Sequence, residues 1–237
     1  MKHIIILILF LALSFRSSGQ FIGAMEIEDS SIRTWIPKLE IEYSGIYHFG
    51  EGEAEEELRI FFTGFSIIGQ IKSGYWEEGT GLWKWTYKNL NNIKIEKNGN
   101  FICDQYKGQF VIFSDSLSSY KGLKIDNPWN TWIPKGNYEV GIRMERNLYS
   151  DFPGKYPEAS YKLLSKLEIS TLSFSELKIM RNEIFARYGY KFQKGGEMDN
   201  YFSKQDWYRA EHENIDSFLT ELELKNISLI KELENKK

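Results

Sequence analysis

The feature that most constrains this chain is a change in the period of its apolar residues. Between Ile41 and Met144 they tend to recur at every second position, and beyond Ser173 at every third or fourth. Period two divides a strand into two faces, whereas a spacing of three and four draws one stripe along a helix. A chain with these patterns in separate halves folds as α+β, with strands and helices segregated.

In the first half Tyr138, Val140, Ile142 and Met144 alternate with Glu139, Gly141 and Arg143, and Trp83, Trp85 and Tyr87 alternate with Lys84, Thr86 and Lys88. Similar runs lie at Ile41–Phe49, Leu58–Phe62, Ile67–Ile71, Ile93–Glu96, Phe101–Tyr106 and Phe110–Phe113. Turn signals separate them at Glu78-Gly79, Asn98-Gly99-Asn100, Lys107-Gly108 and Lys135-Gly136-Asn137. About 7–8 short strands are expected, in an antiparallel β-sandwich or barrel. Asn98-Gly99 is the sharpest hairpin signal, since both residues tolerate positive φ. If the half is a barrel, Trp83, Trp85 and Tyr87 are candidates to line a ligand pocket. Core packing is the competing expectation, because aromatics are the usual fillers of small β cores.

The 146–170 stretch reads as a linker, broken by Asp151-Phe152-Pro153-Gly154 and Tyr156-Pro157. A small three-helix module is expected after it. Ser173 and Glu176 form a capping box, after which Leu177, Met180, Ile184 and Tyr188 mark one apolar face. Gly189 supplies the left-handed residue that ends this helix. A second helix is expected from Glu197 to Lys204. Thr220 and Glu223 cap a third that carries Leu222, Ile227, Ile230 and Leu233.

The N-terminus reads as an export signal. Lys2 and His3 precede an unbroken apolar run from Ile4 to Leu13, and Ser17 and Gly19 suit cleavage before Gln20; Ala12 and Ser14 offer a second cut. The run is about half the roughly 20 residues that span a bilayer, so no transmembrane segment is expected after cleavage. The lone cysteine, Cys103, excludes an internal disulfide and, lying far from the leader, a lipoprotein anchor. A buried small hydrophobe is its expected role. An exported chain with no disulfide suits a bacterial envelope, periplasmic or extracellular. The expected division is signal peptide 1–19, all-β domain 20–145, linker 146–170 and helical domain 171–237.

A net charge of −3 leaves no basic stripe for phosphate backbones, so nucleic acid is not an expected partner. The acidic run Glu51, Glu53, Glu55, Glu56, Glu57 lacks the alternation of a calcium loop and reads as solvated. His212, between Glu211 and Glu213, also reads as a solvated surface residue.

The second half carries Arg181-Asn182-Glu183-Ile184-Phe185-Ala186-Arg187-Tyr188-Gly189-Tyr190 with Phe192, then Tyr201-Phe202, Trp207-Tyr208, Leu219-Thr220 and Asn226-Ile227. In order and spacing this stretch, Leu172–Leu233, resembles the YARHG domain, a small module of exported bacterial proteins. The resemblance implies export and an envelope setting but carries no molecular activity. The chain departs from the family's name motif: Phe185 and Tyr188 stand where the motif has tyrosine and histidine. Any acid–base or ligand role of that histidine would be lost, because a tyrosine titrates near pH ~10. Both changes keep an aromatic ring, which points to packing.

Arg181, Asn182, Glu183, Arg187, Trp207 and Tyr208 are the candidate interaction or structural residues. Glu183 and Arg187 form an i,i+4 pair, worth a few tenths of a kcal/mol if exposed. Arg181 and Asn182 could tie the helix to the loop at Gly195-Gly196, or Arg181 and Arg187 could clamp an anion. Trp207-Tyr208 is expected to plug the module's core, with an aromatic binding platform as the alternative. The sequence holds no Gly-x-Ser-x-Gly elbow, Walker loop, dinucleotide fingerprint or His-Glu-x-x-His, and no cofactor or metal is expected. The leading expectation is therefore a non-catalytic envelope module whose partner is a protein, peptide or glycan. Small-ligand binding in a lipocalin-like barrel is the first alternative. An enzyme of envelope polymers, with Glu183 as base and Arg187 orienting substrate, is the second.

Overall fold

The computed structural model describes residues 29–50, 54, 56–64, 66–115, 118–127 and 138–237. The expected leader over 1–19, the acidic positions Glu51, Glu53 and Glu55, and the turn at 135–137 lie outside the described residues. The first half forms ten strands: β1 (Ile32–Thr34), β2 (Gly45–His48), β3 (Glu57–Phe62), β4 (Ile67–Trp76), β5 (Trp83–Asn89), β6 (Lys94–Ile95), β7 (Asn100–Ile102), β8 (Lys107–Ser114), β9 (Ser119–Asp126) and β10 (Tyr138–Arg143). The expected 7–8 strands missed β1 and β9. In β9 only Leu123 and Ile125 alternate, among lysines and a glycine, yet both are fully buried.

All pairings are antiparallel, and from β2 onward each strand pairs with its sequence neighbours except at β5 and β6. The last strand, β10, returns to pair with β2. The sheet is thus a meander rolled into a barrel, split along one seam that Leu90 to Ile93 crosses. Asn91 stitches the seam: its carbonyl accepts from Asp104 N at 3.0 Å, and its amide donates to Gln105 Oε1 at 3.1 Å. The Asn98-Gly99 turn joins β6 to β7, with Gly99 at φ 83° as its sequence predicts.

The barrel interior is filled by Tyr47, Phe49, Leu58, Ile60, Phe101, Phe110, Leu123 and Ile125, none more than 1% exposed. Glycine at 141 admits the Phe49 ring, since a Cβ there would stand 2.2 Å from it. Cys103 packs into the same core as a buried thiol.

Trp83, Trp85 and Tyr87 are not part of this core, which corrects both expectations for the stripe, the wall of a barrel pocket and the filler of the β core. Register places Glu57, Lys72 and Tyr87 in one row, Arg59, Gln70 and Asn89 in the next, and Phe61 opposite Ile68. These residues share the outer face, opposite Leu58, Ile60 and Ile71. Alternation defines two faces but does not say which one curls inward.

The second half forms α1 (Glu158–Tyr161), α2 (Lys166–Ile169), α3 (Phe174–Arg187), α4 (Glu197–Phe202) and α5 (Glu221–Glu234). The three expected helices are α3, α4 and α5, with capping boxes at Ser173/Glu176 and Thr220/Glu223 as read from the sequence. The stretch read as a linker carries the short helices α1 and α2; its prolines break structure only as far as Pro157, and Ser165 with Glu168 caps α2. Leu177, Met180 and Ile184 of α3 pack on Ile227, Ile230 and Leu233 of α5. Asn226 of α5, fully buried, accepts from Leu164 N at 2.9 Å and donates to the carbonyls of Ala159 and Lys162, each at 2.8 Å.

This helical module is seated on the outer face of β3–β5. Ile46, Phe61 and Ile68 from the sheet form one apolar cluster with Leu148, Phe152 and Leu222. The Asn89 amide reaches the carbonyls of Ser217, Phe218 and Leu219. At the edge of β5, Trp85 N donates to Glu211 Oε2 at 3.1 Å, and Trp85 O lies 2.8 Å from His212 Nε2. His212 is therefore no solvated residue; it closes a strand edge that would otherwise invite pairing with another chain. Glu57 is likewise not solvated, being 8% exposed and bonded to Arg146. Among the described residues no helix is long and apolar enough to cross a membrane.

Candidate functional site

Helix α3 brings Glu183 and Arg187 to the chain that enters the module. Glu183 is 1% exposed; its Oε1 accepts from Lys155 N at 2.7 Å and its Oε2 from Tyr156 N at 2.8 Å. Arg187 NH2 donates to the same Oε2 at 3.1 Å and to Tyr156 O at 2.9 Å. Its Nε donates to Pro153 O at 2.8 Å and its NH1 to Ser160 Oγ at 3.0 Å. The pair is not the weak surface pair expected if exposed. It is a buried clamp on residues 153–160. Gly154, at φ 119°, leaves room for the carboxylate, since a Cβ would lie 2.7 Å from Glu183 Cδ.

The helix ends at Tyr188 and Gly189, the latter at φ 70°. The Tyr188 hydroxyl donates to Glu223 Oε2 at 2.8 Å and accepts from Gln70 Nε2 at 3.1 Å. One phenol thus joins α3, the capping box of α5, and β4. Burial raises the Tyr188 hydroxyl well above its usual pKa, and the charge of Glu223 adds to this. Burial also pushes the Glu223 carboxyl up, against hydrogen bonds from Ser160, Thr220 and Tyr188. The ring positions Phe185 and Tyr188 both pack in the module's core, as the aromatic-for-aromatic departures imply. Tyr188 adds hydrogen bonds that packing alone does not require.

Arg181 and Asn182 do not reach the loop at Gly195. Arg181 Nε donates to both carboxylate oxygens of Glu234, at 3.0 and 3.1 Å, holding α3 to the end of α5. Asn182 Nδ2 donates to Lys178 O within α3, and the Gly195 loop is held by Asp199 and Asn200 instead. Trp207 and Tyr208 join a second aromatic cluster with Phe192, Tyr201 and Phe202, and the Tyr208 hydroxyl donates to Tyr190 O at 2.7 Å.

Where the module meets the sheet, a cleft of about 390 Å³ remains open. The sheet supplies Arg59, Lys72, Trp85 and Tyr87 to its wall, and the entering chain supplies Arg146, Asp151, Phe152 and Pro153. The end of α3 contributes Ala186 and Arg187 and the turn after it Tyr188 and Gly189; Trp207, Arg209, Glu211 and Glu223 complete it. Such a volume suits a small molecule or a short side chain. Of the six residues singled out from sequence, Arg187 and Trp207 reach this cleft; Arg181, Asn182, Glu183 and Tyr208 are not among its lining residues.

The charges of the cleft are unevenly paired. Arg146 bonds Glu57 at 2.8 Å and Asp151 at 3.0 Å. Arg59, 7% exposed, has its Nε 3.0 Å from the same Asp151 oxygen, without hydrogen-bond alignment. Its guanidinium lies 5.9 Å from the Tyr87 ring centre and 5.8 Å from that of Phe152. Lys72 sits 3.7 Å from the Trp85 ring centre. Burial lowers the Lys72 pKa, and the neighbouring charge of Arg59 lowers it further. Arg59, Gln70 and Lys72 are not singled out by the sequence, because a polar residue at an alternate strand position ordinarily faces water, and Asp151 reads there only as part of a chain break. Among the described residues, no three His, Cys, Asp or Glu side chains are grouped to hold a metal ion.

Residues 155–235 match the family model of the YARHG domain. The match takes in α1 and α2, and with them all but Pro153 and Gly154 of the chain that Glu183 and Arg187 clamp. No curated protein and no solved structure shows significant similarity to this chain.

Proposed function

We propose that this protein is an exported, non-catalytic interaction protein of the bacterial envelope. In this reading the YARHG-type module and the β-barrel form one recognition unit, open at the cleft between them. One observation carries it: the polar residues of the signature are committed to internal bonds. Both oxygens of Glu183 are bound by backbone amides, and four donor contacts of Arg187 end on protein acceptors. A general base must reach the proton that it removes, and Glu183 is 1% exposed. No serine, cysteine or histidine is among the residues lining the cleft. The barrel, for its part, is filled by aromatic and aliphatic side chains, which disfavours the lipocalin-like alternative. The YARHG match and the expected leader both support export, to the periplasm or beyond the cell.

Two measurements test the proposal. Cell fractionation should place the protein outside the cytoplasm; a purely cytoplasmic, uncleaved chain overturns the export reading. The purified protein should show no turnover on peptidoglycan, peptide or ester substrates. Turnover abolished by substituting a cleft residue, with the fold intact, overturns the non-catalytic one.

A further inference from the structure

Arg59 and Lys72 are neighbours on one face of β3 and β4. Glu57 stands opposite Lys72, and Arg59 stands opposite Gln70, so the two cations lie on a diagonal of the ladder. Such diagonal partners are roughly 7–8 Å apart, within joint reach of one small group. Among the described residues Lys72 forms no ion pair, and Arg59 shares its one carboxylate partner with Arg146. Glu57 is taken by Arg146, and the Asp151 oxygen near Arg59 is shared with Arg146. Among the described residues, the terminal nitrogens of Arg59 meet no acceptor and the Lys72 ammonium meets no carboxylate; the latter rests on Trp85 alone. Buried charges are ordinarily paired and hydrogen-bonded, so three cations, Arg59, Lys72 and Arg146, that share two carboxylates, Glu57 and Asp151, leave positive charge in excess at the floor of an open cleft.

We propose that this cleft binds a small ligand bearing a carboxylate or phosphate. The oxyanion is held between Arg59 and Lys72, beside the Trp85 ring on which Lys72 rests, and a flat ring or sugar face lies against Trp207. A guanidinium presents paired N–H donors that match either oxyanion, and the ammonium adds a point charge. Tryptophan faces favour planar and sugar surfaces on the same ligand. The inference rests on the cleft being the recognition surface of a non-catalytic protein, and it adds the chemistry of what is recognised.

The test uses the purified protein, with indole N–H signals followed by NMR during titration with benzoate, phenyl phosphate and benzyl alcohol. Benzoate or phenyl phosphate should shift the Trp85 and Trp207 signals saturably, and added salt should weaken the binding. Which probe binds more tightly identifies the oxyanion. Lys72→Met should weaken binding about 10-fold, the usual worth of one charge-assisted contact. Lys72 makes no ion pair, so this variant should fold; Lys72→Gln is the second variant if it does not. The proposal is overturned if no anionic probe binds at about 10 mM, beyond the range of specific contacts. Equal binding of benzyl alcohol, or unchanged affinity in Lys72→Met, overturns it as well. Release of inorganic phosphate from phenyl phosphate at the cleft would support the site yet overturn the non-catalytic reading. Absence of binding would remove the site and leave that reading standing.

Discussion

The amide nitrogen of Gln70 lies 3.1 Å from the hydroxyl of Tyr188, and through this contact the β-barrel holds the C-terminal end of α3. Tyr188 occupies the position where the YARHG name motif has histidine. Here its ring packs edge-on against Tyr87 at 4.7 Å, while its hydroxyl also serves Glu223. The position works as a joint between module and sheet.

Tyr188→Phe keeps the ring and removes the joint. Gln70 and Glu223 then lose a partner while buried, a cost of about 1–3 kcal/mol. Chemical denaturation should show that loss, and hydrogen exchange should rise at both the start of α5 and β4. A neutral substitution would mean that water replaces the hydroxyl without cost.

Glu183→Gln should act on folding. A glutamine offers one carbonyl oxygen where two amides and Arg187 now bind, so it leaves a buried donor unmatched and a guanidinium unpaired. Breaking a buried pair of this kind costs about 3–5 kcal/mol. Thermal unfolding of the variant reads the loss; a wild-type melting temperature would refute the clamp.

Gly154→Ala tests the same clamp from the other side. At φ 119° an alanine is strained, and its Cβ would crowd the Glu183 carboxylate at 2.7 Å. The expected destabilisation exceeds about 1 kcal/mol, in contrast to the slight gain that glycine-to-alanine changes give where the backbone permits them.

Stability should carry a pH signature from Glu223. Its folded pKa is raised by burial, so between the unfolded and folded values the native state binds the extra proton. The contribution is full below the ordinary carboxylate range and is lost as pH rises through the folded pKa. Relative to Glu223→Gln, the wild type should therefore lose stability as pH rises above the ordinary carboxylate range and through the raised folded pKa, as read from denaturation midpoints. Parallel curves for the two proteins would argue against it.

Replacing both Glu211 and His212 with alanine should free the edge of β5 at Trp85. Exposed edges pair with other chains, so light scattering should report a larger average mass than for the wild type. An unchanged mass would mean that Glu211 and His212 are not what protects the edge.

Much of this was legible in the sequence. Alternation in the first half and three-and-four spacing in the second separate strands from helices, because each pattern reflects hydrogen bonding within a few residues. Ser173 with Glu176, Thr220 with Glu223, and Gly189 mark helix ends for the same local reason. What the outer face of β3–β5 touches is not local. Glu57, Arg59, Gln70 and Lys72 read as water-facing positions of an alternating strand, and His212 reads as surface. The tertiary structure brings Arg146 and Asp151 onto Glu57 and Arg59, sets Tyr188 on Gln70 from 118 residues away, and places His212 against the edge of β5. A strand's sequence states that it has two faces. Only packing decides that both are buried, and that two cations meet in the cleft left between them.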